Sequence, residues 1–104
     1  MSGRRSDLDE LLLRCPGLHL PPEQPDCVRL RWMPEARRTA SVRVVRHTCD
    51  DCRDVSYELC AAGGLMFIRR TDRTKGTPKV RETERLIACR VQGMWQALLL
   101  GSAR

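Results

Sequence analysis

Apolar and polar positions alternate cleanly from Cys27 to Met33, with Val28, Leu30 and Trp32 on one side and Cys27, Arg29 and Arg31 on the other. That is the period of a half-buried strand. Ser41 to Arg46 repeats it, placing Val42 and Val44 opposite Arg43. The turn from Pro34 to Thr39 joins the two runs into a predicted hairpin. A third strand sets Val55, Tyr57 and Leu59 against Ser56, Glu58 and Cys60, and Ala61-Ala62-Gly63-Gly64 turns it into a fourth, Leu65 to Arg70. After a polar loop from Thr71 to Pro78 the period lengthens to that of a helix. Ile87, Val91, Met94, Trp95 and Leu98 fall on one arc of it. Near the start, Ser6 can cap a short helix whose stripe is Leu8, Leu11, Leu12 and Cys15, and Pro16-Gly17 ends it.

These elements predict one α+β domain over residues 1–104. Residues 1–25 form the N-terminal helix and linker, 26–70 the sheet with a metal turn, and 79–101 the long C-terminal helix. The expected sheet is four-stranded and antiparallel, two hairpins joined by a cysteine turn, with the C-terminal helix packed on its Val28/Leu30/Trp32 side. Only Trp32, Tyr57, Phe67 and Trp95 supply aromatic bulk, so the core is aliphatic and a metal cross-link would strengthen it.

Six cysteines are many for this length. Met1 to Glu10 is charged and polar rather than signal-like, and no apolar run is long enough for a membrane span, so the expected compartment is the reducing cytoplasm. There, closely spaced cysteines act as ligands more often than as staples. Between two predicted strands lies His47-Thr48-Cys49-Asp50-Asp51-Cys52. A C-x-x-C at a turn brings two thiolates to one ion. His47 precedes it by one intervening residue, Cys60 follows on the next strand, and Cys27 competes for a ligand position. Cys49, Cys52, His47 and Cys60 therefore make a candidate Cys₃His zinc set, with Cys27 as substitute. The competing reading makes Cys15, Cys60 and Cys89 small hydrophobes and His47 a surface residue.

Cys27, Cys49, Cys52 and Cys60 arranged around a C-x-x-C loosely resemble the WhiB-like actinobacterial cluster proteins, which implies an iron–sulfur redox sensor as a remote alternative. That family's glycine-tryptophan turn is replaced here by Gly63-Gly64-Leu65-Met66. The run from Tyr57 to Thr71 is similar to stretches in short uncharacterised proteins of GC-rich actinobacteria, a resemblance that implies no function.

The net charge is +6, and of nineteen basic residues only Lys75 and Lys79 are lysine. Such a skew fits the codon usage of a GC-rich genome, so where the arginines fall carries more meaning than their number. From Val28 to Arg46 there are six arginines and one acid, Glu35, a balance of 6 − 1 = +5. In the predicted hairpin Arg29, Arg31 and Arg43 share a face and Arg37 and Arg38 occupy its turn, a surface for nucleic acid or an acidic protein. Catalysis has little to stand on: His19 and His47 are the two histidines, and no Gly-rich phosphate loop or nucleophile triad occurs. A deaminase needs Glu two residues after its histidine ligand, where Cys49 stands. The expectation is a non-enzymatic, zinc-stabilised binding module associated with nucleic acid or transcription. The alternative is a protein–protein adaptor or homodimer using a second stripe on the C-terminal helix: Leu86, Cys89, Gly93, Ala97 and Leu100.

Overall fold

The computed structural model describes residues 17–36 and 41–104. The predicted N-terminal helix, with Cys15, and the turn arginines Arg37 and Arg38 lie outside the described residues.

The protein is α+β, with β1 (Met33–Pro34), β2 (Arg43–His47), β3 (Val55–Ala62), β4 (Leu65–Asp72), β5 (Lys79–Glu82) and helix α1 (Ala88–Leu99). The strands form a five-stranded antiparallel sheet in the order β1-β5-β4-β3-β2. Its centre is the β3–β4 hairpin, paired in unbroken register from Val55↔Asp72 to Ala62↔Leu65. Gly63 and Gly64 make the two-residue turn with φ of 58° and 80°. Both angles are positive, as the hairpin turn matching strand twist demands, and only glycine adopts them cheaply.

Three expectations are corrected here. The sheet has five strands, because Lys79–Glu82 is extended rather than helical. The loop after β4 folds back on itself, with the Asp72 carboxylate accepting from the Thr74 amide at 2.9 Å and the Thr74 hydroxyl at 2.6 Å. That reversal lays residues 79–82 beside β4, in register from Asp72↔Lys79 to Arg69↔Glu82. The helix consequently starts at Ala88, with Ile87 as its extended N-cap.

The second correction concerns the first hairpin, which is not made. Met33 and Pro34 pair with β5 at one edge of the sheet, and β2 pairs with β3 at the other. Pro34, which lacks an amide donor, is tolerated at such an edge. The alternating run before it pairs with the chain's last residues: the Val28 amide donates to Ser102 O at 2.9 Å, Arg104 to Val28 O at 2.9 Å, and Leu30 to Arg104 O at 2.7 Å. This route requires Gly101. It ends α1 at φ 78°, and a Cβ there would stand 2.6 Å from the Pro22 carbonyl oxygen.

The third correction is local. Ile87 and Val28, both placed on core-facing stripes, are 57 % and 62 % exposed. The rest of the arc holds. Val91, Trp95 and Leu98 are buried against Tyr57, Leu59, Met66 and Ile68, with Leu30, Trp32 and Met94 packed at the margin. Trp32 and Tyr57 rings lie 5.9 Å apart. On the opposite face Cys60, Ala62 and Phe67 form a smaller buried group, with the Arg85 guanidinium 4.6 Å from the Phe67 ring centre.

Candidate metal centre

The turn between β2 and β3 holds the C-x-x-C, as its position between two alternating runs predicts. Buried Thr48 anchors it: its amide donates to Tyr57 O at 2.9 Å, and its hydroxyl accepts from the Tyr57 amide at 2.9 Å. Cys49 is then directed inward and is buried, while Cys52 is exposed at the far side of the turn. The Cys52 amide donates to the Cys49 sulfur at 3.4 Å. This puts a partial positive charge against a sulfur that must bind metal as thiolate. The two cysteines stand 3.8 Å apart, matching the edge that two thiolates ~2.3 Å from a tetrahedral ion span.

The third donor comes from a distant part of the chain. The Cys49 amide donates to Leu18 O at 2.8 Å, which pins the segment after Gly17 against the turn. The next residue, His19, delivers its ring to the cysteines, and the ligand atoms of His19, Cys49 and Cys52 all lie within 4.8 Å of one another. Nitrogen and thiolate donors in this grouping suit zinc-like ions of borderline softness. A cleft of about 310 Å³, lined in part by Leu18, Leu20, Val55 and Tyr57, opens beside His19 and Cys49 and offers an ion a way in.

The remaining sequence-predicted ligands are elsewhere. His47 ends β2 as an exposed residue, with Nδ1 3.1 Å from the Thr48 carbonyl oxygen. Cys60 sits far along β3, itself fully buried and packed with Ala62 and Phe67. Each strand residue advances the chain by about 3.3 Å, so the five steps from Val55 to Cys60 carry it well away from the turn. Cys27 lies on the segment bound to the chain's last residues, its sulfur 3.7 Å from Val28 O. The four cysteines of the iron–sulfur alternative are therefore not gathered at one point. His19 was missed because it stands outside any periodic element, in a proline-rich connection. The usable signal was that one C-x-x-C supplies only half a tetrahedral site, so a second ligand-bearing segment remote in sequence was needed.

The arginine surface is divided by the strand order. Arg29 is joined to Glu23, with Nη1 2.8 Å from Oε1 and Nη2 2.5 Å from Oε2. This bidentate pair lowers the Glu23 carboxyl below its ordinary range and raises the Arg29 guanidinium above its own. Arg31 is exposed on the same segment, while Arg43 belongs to β2 at the far edge. All five residues of β2 are exposed, Arg43 and Arg46 among them. On the C-terminal stripe Cys89, Gly93 and Leu100 are exposed and Ala97 half-buried, whereas Leu86 precedes the helix and bridges to Met66. Among the described residues no helix is long and apolar enough to cross a membrane.

No protein family, curated protein or solved structure matches this chain.

Proposed function

We propose that the protein is a non-enzymatic binding module whose sheet is fastened by a zinc site at His19, Cys49 and Cys52, and which meets an acidic partner, nucleic acid foremost, through the β2 edge. The convergence of those three ligand atoms within 4.8 Å carries the reading. A small, aromatic-poor core gains from such a link. The tie joins the segment after Gly17 to the turn that launches β3, so it also fixes the end of β2. That strand presents Arg43 and Arg46, exposed, in a chain of net charge +6.

Metal analysis and a salt titration on labelled duplex DNA test the two halves. About one zinc per chain is expected, lost in His19→Ala and in Cys49→Ser/Cys52→Ser but kept in His47→Ala. Neutralising two phosphates gives a log–log salt slope of about −1.8 on duplex DNA, and Arg43→Ala/Arg46→Ala removes it. A metal-free parent sinks the zinc site. DNA affinity that is absent, or unchanged in the double variant, sinks the nucleic-acid surface and favours the adaptor reading, for which exposed Ile87, Cys89 and Leu100 along α1 are the supporting observation.

A further inference from the structure

Tyr57 and Arg70 stand opposite each other in the β3–β4 ladder, and directly opposed residues of an antiparallel pair share a face of the sheet. The next pair on that face, Leu59 and Ile68, is buried with Val91, Trp95 and Leu98 of α1. The Tyr57 row borders a cleft instead. It has a volume of about 260 Å³, and Trp32, Tyr57, Glu23, Arg29, Arg70 and Arg104 are among its walls, with no residue of α1. The two rings lie 5.9 Å apart, tilted by 43°. Trp32 is half-buried, so part of its indole is open to a ligand.

The three arginines of this lining are held differently. Arg29 is paired bidentately with Glu23, the acid of the cleft. Arg70 meets Asp72 at 3.7 Å, beyond hydrogen-bond length. Arg104 donates to the carbonyl oxygens of Leu98, Ala103 and Pro21. Neutral groups thus fix its guanidinium in place without cancelling its charge. An aromatic surface beside fixed cations suits a planar ring that carries a phosphate. The ring stacks, and the guanidinium fork takes the phosphate oxygens. The cleft is just under the roughly 300–1,000 Å³ of small-molecule pockets, which matches one nucleotide better than a dinucleotide. We propose that it binds a nucleoside monophosphate group, with the base against Trp32 and the phosphate on Arg70 and Arg104. The site shares no residue with His19, Cys49 and Cys52 or with β2, so it stands or falls independently of the function proposed above.

Titration of the full chain with adenosine 5′-monophosphate tests it. Stacking should quench tryptophan fluorescence, and the quench should come from Trp32, since Trp95 is buried. Trp32→Phe should abolish the quench while calorimetry still detects binding. Arg70→Gln should weaken binding at least about tenfold, the loss of one charge-assisted contact, and adenosine should bind the parent more weakly still. Glu23→Gln should tighten binding, because it removes the acid from the lining and releases Arg29, a gain that lost packing would not produce. A 5′-phosphorylated single strand that competes with the mononucleotide assigns the site to a strand end, and one that does not assigns it to the free nucleotide. Absence of both quench and heat in the parent, equal affinity for adenosine and its monophosphate, or Arg70→Gln binding like the parent overturns the assignment.

Discussion

The two ends of β3 carry cysteines in opposite circumstances. Before its start, Cys49 and Cys52 lie in a turn with an amide aimed at one sulfur, facing His19 from a remote segment. Toward its finish, Cys60 is fully buried between Phe67 and Ala62, with the Glu58 carbonyl 3.8 Å from its sulfur. The side chain is the same, yet one pair faces a histidine from a remote segment and the other cysteine is packed against a buried phenylalanine. A cysteine near a C-x-x-C in sequence is therefore no guide to ligation. What matters is which end of the strand the pairing carries it to.

The sharpest way to break this contrast is to remove the zinc proposed at the cysteine turn. Structural zinc in small domains contributes about 10–16 kcal/mol of apparent binding free energy at neutral pH. Chelation, or Cys49→Ser/Cys52→Ser, should therefore lower the melting temperature more than any single truncation in the sheet. A melting curve indifferent to chelator would show that the turn end stands without an ion.

At the other end the contribution is packing. Phe67 is fully buried, and Phe67→Ala should cost about 3–5 kcal/mol in denaturant titration. Cys60→Ser should cost about 1–3 kcal/mol, since it exchanges a fully buried thiol packed against Phe67 for a more polar hydroxyl, and should leave the zinc content unchanged. Loss of zinc in Cys60→Ser would erase the distinction between the two ends.

The smallest expected effect is at the hairpin loop beside the cysteine-turn end of β3, where Asp72 pairs with Val55. The Thr74 hydroxyl and amide, donating to the Asp72 carboxylate, hold it below its ordinary value of 3.8, with a further contribution from the Arg70 charge. A carboxyl depressed on folding stabilises above its unfolded value, and the stabilisation is lost as the pH falls through the lower folded value. Stability measured between about pH 5 and pH 2 should thus fall with acid less steeply in Asp72→Asn than in the parent. Identical profiles would mean that the loop contacts do not persist in solution.

Much of the fold was legible because it depends on local period. The β3–β4 hairpin, its Gly63-Gly64 turn, the inward arc of Val91, Trp95 and Leu98, and the C-x-x-C between strands all follow from spacing a few residues wide. The short β5 was not, because Lys79-Val80-Arg81-Glu82 is also compatible with a helical start. Backbone pairing with Arg69–Asp72 overrode that local pattern.

The sequence by itself determined which residues alternate, where the chain must turn, and that two thiolates would share one knuckle. Only the tertiary structure decided partners. An alternating strand carries no label for its neighbour, so the run before Met33 could satisfy its backbone against Ser102 and Arg104 rather than against β2. That choice separated Arg29 and Arg31 from Arg43. It left Pro21 and Pro22 packed against Gly101, while the Leu18–Cys49 hydrogen bond set His19 at the cysteine turn. Hydrogen bonding between backbones is indifferent to residue identity, and it brought together candidate ligands thirty residues apart in sequence.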